Sequence, residues 1–156
     1  MIEIEKILRE KGVKYRLISL AGRVRNHEDA NPENDCKTII TKDEKGKYYA
    51  FFLRGMMKMD FSKLKNIAKK IRIINTEELK KLTGKEPGEV CPFLLKNIKI
   101  YVDKRVFQRD KIHFGSGDSK YGLEIFSKNL NNIINFKIID IAKESIKEKS
   151  VRSQQN

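Results

Sequence analysis

Residues 36–53, with the sequence CKTIITKDEKGKYYAFFL, predict a β-hairpin. The tetrapeptide DEKG at 43–46 has the composition of a turn, and it separates two stretches rich in β-branched and aromatic residues. Positions 48–53 are apolar without interruption, which is typical of a strand that is covered on both faces. We therefore expect strands at 36–41 and 47–53, and we expect the second to lie in the middle of a sheet.

Three helices are predicted around this hairpin. The first uses the apolar residues of the N-terminal segment and ends at Gly12. The second begins at the N-cap residue Asp60, and the third extends from Asn75 or Thr76 to Gly84, with two glutamates in its first turn. The apolar faces of the first two helices consist of Ile4, Ile7 and Leu8, and of Phe61, Leu64, Ala68 and Ile71.

Further strands and a short helix capped by Ser127 complete the prediction. Strands and helices do not alternate regularly, which favours an α+β fold. We expect a single domain whose mixed, mostly antiparallel sheet is partly closed into a barrel with flanking helices. The domain is expected to span residues 1–142, and the charged segment 143–156 is expected to fray. The further strands are Tyr15–Leu20, Ile71–Ile74, Ile98–Val102, Ile112–Phe114, Leu123–Phe126 and Phe136–Ile141.

The composition favours a soluble protein with a polyanionic partner. A chain of 156 residues is long enough for one domain, and 34 lysines and arginines against 21 aspartates and glutamates give a net charge of +13. Nucleic acid is the commonest partner of such a surface, because phosphate neutralisation releases counterions; a basic surface without a specific ligand is the alternative. No apolar run suits a membrane span and no signal peptide is evident, so we expect a cytoplasmic protein without membrane contact.

The cysteines and histidines do not have the spacing of metal ligands, so we expect no metal and no cofactor. Cys36 and Cys91 lack a context that would stabilise a thiolate, and both suit small packing residues. His27 lies beside two acidic residues but beside no nucleophile, which disfavours a catalytic role on sequence alone. His113 is the other histidine in the chain.

Three other features are candidates for chemistry. Lys37 lies at the start of a strand, where partial burial can lower the pKa of its ammonium group; alternatively, the side chain extends to solvent. The segment from Gly84 to Phe93 is rich in glycine and proline and could direct backbone N–H groups at an oxyanion, or form an ordinary turn. The tripeptide at 115–117 could cradle a phosphate, although a simple hairpin turn is the stronger interpretation.

In their order along the chain, several motifs resemble the YbaK/ProX family, whose members are free-standing aminoacyl-tRNA deacylases related to the editing domain of bacterial prolyl-tRNA synthetases. The resemblance extends from about Gly12 to Ile141. The motifs are Gly22-Arg23-Val24-Arg25, His27-Glu28-Asp29-Ala30, Lys37-Thr38-Ile39-Ile40, Lys58-Met59-Asp60, Thr76-Glu77-Glu78-Leu79, Gly88-Glu89-Val90-Cys91-Pro92-Phe93, Tyr101-Val102-Asp103 and Gly115-Ser116-Gly117.

The resemblance implies hydrolysis, in trans, of the ester that joins a mischarged amino acid to the 3′-terminal adenosine of tRNA. It implies that Lys37 and Gly88 are the catalytic positions, the lysine by electrostatics and the glycine loop by backbone donors. Cys- and Ala-tRNA(Pro) are candidate substrates, and tRNA and an aminoacyl-tRNA synthetase are the implied partners. The implied substrate-binding residues are His27, Thr38, Val90, Cys91, Pro92, Phe93, Gly115, Ser116 and Gly117.

Two departures from the family leave the substrate open. The short segment 31–35 replaces a longer turn that helps to wall the amino-acid pocket, and Cys91 stands where the family often has proline or another small residue. The alternative function is a non-catalytic tRNA- or synthetase-binding module with the same fold. A general RNA-binding protein is a third interpretation, which the absence of aromatic RNP and GXXG motifs disfavours.

Overall fold

The computed structural model describes residues 1–20 and 31–145, which form an α+β domain. His27 and the chain beyond Ser145 lie outside the described residues. Neither helix in the described part is long and apolar enough to cross a membrane. The helices are α1 (Glu3–Glu10) and α2 (Thr76–Thr83), and the strands are β1 (Tyr15–Ser19), β2 (Cys36–Lys42), β3 (Tyr48–Arg54), β4 (Met57–Met59), β5 (Arg72–Ile73), β6 (Lys99–Asp103), β7 (Lys111–Gly115), β8 (Tyr121–Phe126), β9 (Lys137–Ile139) and β10 (Ala142–Glu144).

The predicted hairpin is confirmed as the centre of a five-stranded sheet with the order β5-β2-β3-β6-β9. Strand β3 pairs antiparallel with β2 and parallel with β6. Its alternate residues contribute to two different core clusters: Ala50 and Phe52 pack in one, and Phe51 and Leu53 pack in the other. The uninterrupted apolar run is therefore explained by burial on both faces of the strand.

Two smaller sheets cover these faces. The three-stranded sheet β1-β8-β7 is antiparallel and packs on one side, where the rings of Phe52 and Phe114 meet edge to face at 5.1 Å. The pair β4-β10 covers the other side through Met57, Met59 and Ala142. In the described residues the strands thus form three separate sheets, and the predicted closure into a barrel is not found.

Two of the predicted helices are wrong. The segment after Asp60 forms only a 3-10 turn at Phe61–Leu64, although Asp60 does cap it by accepting the N–H of Ser62. Phe61 is exposed, whereas Leu64, Ala68 and Ile71 pack on the core from successive turns, and Lys70 has a φ of 55°. The helix predicted to be capped by Ser127 is a 3-10 helix at Ser127–Asn132, and its N-cap position is Phe126 without a side-chain cap hydrogen bond. By contrast, α2 has the predicted ends: Asn75 caps it and Gly84 adopts the left-handed conformation after it.

The last strand, β10, extends past the predicted domain end at residue 142, because it pairs with β4 through Glu144. The buried carboxylate of Asp103 holds the segment that leads into β10. Asp103 accepts the backbone N–H groups of Ile141 and Ala142 at 2.8 and 2.9 Å, and that of Arg105 at 2.9 Å. Strands β4 and β10 were not predicted, since three residues are too few to show a period of two.

Candidate active site

A cavity of about 330 Å³ lies where the start of β2 meets the end of β7 and the start of β8. Strand β2 contributes Lys37, the irregular loop before β6 contributes Gly88, and β7 contributes His113 and Gly115. The sequence motifs at 37, 88 and 115 are up to 78 residues apart in the chain, and the fold brings all three to one cavity.

Lys37 is partly buried in the wall of this cavity. Burial lowers the pKa of its ammonium group, and the positive charge of Lys58 on β4 lowers it further. Lys37 forms no ion pair with a carboxylate among residues 1–20 and 31–145, and a partly desolvated lysine of this kind is suited to attract an anion or a polarised carbonyl oxygen. Of the two interpretations of Lys37 from the sequence, partial burial and extension to solvent, the partly buried one fits this position.

The two glycine-containing loops form one packed unit. A Cβ atom at Gly115 would lie 2.6 Å from the carbonyl oxygen of Gly88 and 2.8 Å from the carbonyl carbon of Glu89, so only glycine fits there. The N–H of Gly117 donates to the carbonyl oxygen of Glu89 at 3.0 Å. Gly88 has a φ of 88°, which also favours glycine. The tip of one loop is thus held by the other.

The remaining sequence-predicted residues lie around the cavity rather than in its wall. Val90, Cys91 and Gly117 line a second cavity of about 270 Å³. Pro92 and Phe93 are buried in a short 3-10 turn. Ser116 is buried and donates its hydroxyl to the carbonyl oxygen of Tyr121, which fixes the turn between β7 and β8; His27 is outside the described residues. Thr38 lies beside Lys37 on β2, and its hydroxyl is buried without a hydrogen-bond partner in the described part of the chain.

Neither cysteine has the environment of a nucleophile. Burial raises the pKa of the Cys91 thiol to about 12, and burial raises the pKa of Cys36 as well. Both thiols are therefore protonated at neutral pH, and thiolate is the reactive form. Within residues 1–20 and 31–145, no cluster of three or more His, Cys, Asp or Glu side chains is arranged to hold a metal ion.

Sequence reasoning missed a row of charged residues that crosses the three-stranded sheet and ends at the cavity. Arg16, Glu124 and His113 occupy neighbouring register positions on β1, β8 and β7. Arg16 donates to both carboxylate oxygens of Glu124 at 3.2 and 2.9 Å, and Nε2 of His113 lies 2.7 Å from Glu124 Oε2. The available signal was a polar residue between two apolar ones in each of two strands, at Ile112-His113-Phe114 and Leu123-Glu124-Ile125.

The Glu124 carboxylate is held in its ionised form. Burial acts to raise the pKa of Glu124, but the hydrogen bonds and positive charges of Arg16 and His113 outweigh burial and hold the pKa below its ordinary value. The carboxylate therefore accepts from both neighbours. The charged groups around Glu124 are thus paired with one another, whereas Lys37 is the one lysine or arginine among the described residues that line the cavity, which also include Asp35, Glu89 and Asp118.

Residues 20–133 match the family model of the aminoacyl-tRNA editing domain. Among solved structures, hypothetical protein APE2540 is similar over 91% of this chain and 100% of its own, with 25% identity and a TM-score of 0.80. A proposed trans-editing enzyme for prolyl tRNA synthetase is similar over 92% of this chain and 99% of its own, with 19% identity and a TM-score of 0.72.

The same fold also occurs inside a longer chain from Marinobacter aquaeolei VT8, described as a proposed signal transduction protein. That similarity covers 92% of this chain but 31% of the longer one, at 15% identity and a TM-score of 0.72. Among curated proteins, no match to this sequence was found. Because the family model covers well over half of its residues, the chain belongs to the aminoacyl-tRNA editing domain family, the YbaK/ProX family that its motifs resemble.

Proposed function

We propose that this protein hydrolyses, in trans, the ester bond between a mischarged amino acid and the 3′-terminal adenosine of tRNA. The observation that most supports this proposal is the meeting of Lys37 with the Gly88 and Gly115 loops in one cavity of a chain that belongs to an editing family. A volume of about 330 Å³ is near the lower end of ligand pockets, roughly 300–1,000 Å³. It suits an aminoacyl group with part of its ribose better than a whole nucleotide.

In this proposal Lys37 attracts the ester carbonyl oxygen or the terminal phosphate, because it forms no ion pair with a carboxylate in the described part of the chain. The loop at Gly88 directs backbone N–H groups at the oxyanion that forms when the carbonyl carbon is attacked. The contact between Gly115 and the Gly88 carbonyl holds this loop in place. Neither role requires a metal.

A basic surface supports tRNA as the partner. The ammonium groups of Lys14, Lys111 and Lys128 all lie within 6.0 Å of the centre of the Phe126 ring, at the end of β8 opposite the cavity-lining Tyr121. Such a cluster suits phosphates of a nucleic acid whose 3′ end enters the cavity. Charged tRNA is made in the cytoplasm, so we place the activity there, with a synthetase as a plausible second partner.

The test is deacylation of a panel of charged tRNAs that includes Cys-tRNA(Pro), Ala-tRNA(Pro) and Pro-tRNA(Pro). We expect the wild type to release one mischarged amino acid, and we expect Lys37→Ala to slow release by about 10²-fold or more, the size of a lost oxyanion contact. Lys81→Ala is the matched control, because Lys81 is exposed on α2 and pairs with Glu77 within the same helix. If the protein hydrolyses none of these charged tRNAs faster than buffer does, the proposed enzymatic activity is wrong.

Binding of the same tRNAs without hydrolysis would instead support the alternative, a non-catalytic tRNA- or synthetase-binding module. The same fold is found as part of a longer, differently described protein, and a fold alone does not determine function.

A further inference from the structure

His113 is a buried polar residue in the cavity wall whose hydrogen bonding is incomplete. Its side chain is 5% exposed and lines the cavity beside Gly115. Nε2 contacts Glu124, but Nδ1 is buried and finds no hydrogen-bond partner among the residues described here. On this side of the ring, Oδ1 of Asp35 lies 4.0 Å from Nδ1, and this distance is too long for a hydrogen bond.

The contact with Glu124 determines which nitrogen of His113 bears the proton. Because Arg16 and His113 keep Glu124 ionised, its carboxylate can only accept hydrogen bonds, so Nε2 of His113 must be the donor. In a neutral imidazole with a proton on Nε2, Nδ1 is a bare acceptor. Leaving such an acceptor buried and unpaired is unfavourable, so a hydrogen-bond donor from a ligand at this place would stabilise it.

We propose that His113 is the general base of this editing site and that Nδ1 takes the proton of the attacking water. The inference depends on the proposed deacylation. In the step, the water oxygen bonds to the ester carbonyl carbon while its proton moves to Nδ1. The bond from the carbonyl carbon to the ribose oxygen then breaks, and the ribose oxygen takes the proton back from Nδ1. The products are a free amino acid and a tRNA with its terminal hydroxyl restored.

The surroundings of His113 suit a transient positive charge. Glu124 at 2.7 Å and Asp35 at 4.0 Å flank the ring on its two nitrogen sides. This is the arrangement by which a carboxylate orients an imidazole and stabilises the imidazolium in other hydrolases. Other charged or titratable groups near the ring are Arg16 behind Glu124, and Lys37, Glu89, Asp118 and Tyr121 in the cavity wall.

The test compares the wild type with His113→Gln and His113→Ala on the tRNA that the wild type hydrolyses best. Glutamine retains an N–H for Glu124 but cannot take up a proton, so this variant distinguishes proton transfer by His113 from a purely structural role. We expect both variants to lower kcat by about 10²–10⁴-fold. The wild-type rate should fall on the acid side with the slope of one proton, and this limb should be absent in His113→Gln. Added imidazole should restore part of the rate of His113→Ala at constant pH.

Ser127→Ala is the matched control, because Ser127 is buried at the far end of β8 and donates to the Arg109 carbonyl oxygen at 2.6 Å. Its loss should lower stability without changing kcat or the pH profile. The inference is overturned if folded His113→Gln retains the wild-type rate. It is also overturned if the variants lose rate while the acid limb persists and imidazole restores nothing, since that pattern assigns a structural role. A wild type that hydrolyses no charged tRNA overturns the proposed function and this inference with it.

Discussion

Charged side chains have different surroundings in two walls of the cavity, one formed by the start of β2 and the other by β7 and β8. On β2, Lys37 is partly buried near Lys58, and both burial and the like charge lower its pKa. On β7 and β8, Glu124 is buried between Arg16 and His113, and their hydrogen bonds hold its pKa below the ordinary value against the effect of burial. The first wall therefore has charge available for a ligand, and the second uses its charges to fix the orientation of one imidazole ring.

Gly115 packs directly against the backbone of the Gly88 loop, so the largest effect is expected from Gly115→Ala. The new methyl group would lie 2.6 Å from the Gly88 carbonyl oxygen and 2.8 Å from the Glu89 carbonyl carbon, both backbone atoms that cannot move alone. We expect deacylation to fall by about 10²–10³-fold as the Gly88 loop is displaced. The measurement is kcat/KM together with a urea melt.

Two glycines provide comparisons for the stability change. Gly122 is the register partner of Gly115, and a Cβ there would make ordinary contacts at 3.8–3.9 Å, so Gly122→Ala should be nearly neutral in the urea melt. Gly88→Ala should cost about 1–2 kcal/mol, because its φ of 88° is strained for alanine although no atom lies within 4 Å. Equal stability of all three variants would contradict the packing argument.

Glu124→Ala should destabilise the cavity wall formed by β7 and β8, because Glu124 pairs with both Arg16 and His113. It leaves His113 buried with neither ring nitrogen paired to a carboxylate at hydrogen-bond distance, and it deprives Arg16 of its two-pronged contact. Removal of one partner from a buried charge network typically costs about 3–5 kcal/mol. The free energy of unfolding in urea measures this loss. Arg16→Met is the milder comparison because Arg16 is partly exposed, and a larger loss for Arg16→Met than for Glu124→Ala would contradict the assignment.

The sequence predicted those features that depend on neighbours in the chain. The hairpin at 36–53 and the capped helix α2 have local turn and cap signals, and Lys37 and Gly88 belong to contiguous motifs. The row through Glu124 was missed because it exists only through the register of β1, β8 and β7. A pairing shifted by one residue would place the same side chains on the opposite face.

The false helix after Asp60 has a related cause. The spacing of Leu64, Ala68 and Ile71 fits a helical face, but these residues instead pack around β4 and β10 from successive turns. Two strands of three residues each have no signal in the sequence, so the surface that the segment covers could not be anticipated. Local spacing therefore identified Leu64, Ala68 and Ile71 as residues that pack on the core, but it also included the exposed Phe61 and assigned the segment the wrong backbone.

Acidification should reduce the stabilisation that Glu124 provides, and this effect should be smaller than those of the substitutions above. The pKa of Glu124 in the folded protein is below its ordinary value of 4.5, so its contribution to stability is complete above about pH 4.5 and is lost as the pH falls through the folded-state pKa. We expect the difference in unfolding free energy between wild type and Glu124→Gln to shrink over this range. Urea melts at a series of pH values from 7 downward test it. A difference that grows on acidification would have the wrong sign.

The smallest expected effect is on the reactivity of Lys37, in the cavity wall at the start of β2, when the charge of Lys58 is removed. Replacing Lys58 with glutamine removes a like charge near Lys37, so the pKa of Lys37 should rise toward that of an exposed lysine. A higher pKa leaves less neutral amine at a given pH, and acetylation of Lys37 followed by mass spectrometry should therefore be about two- to fivefold slower near pH 9. Lys81→Gln removes an equal charge from α2 and should leave this rate unchanged. If both variants slow the reaction equally, the effect comes from total charge, and the cavity wall around Lys37 has no special electrostatic environment.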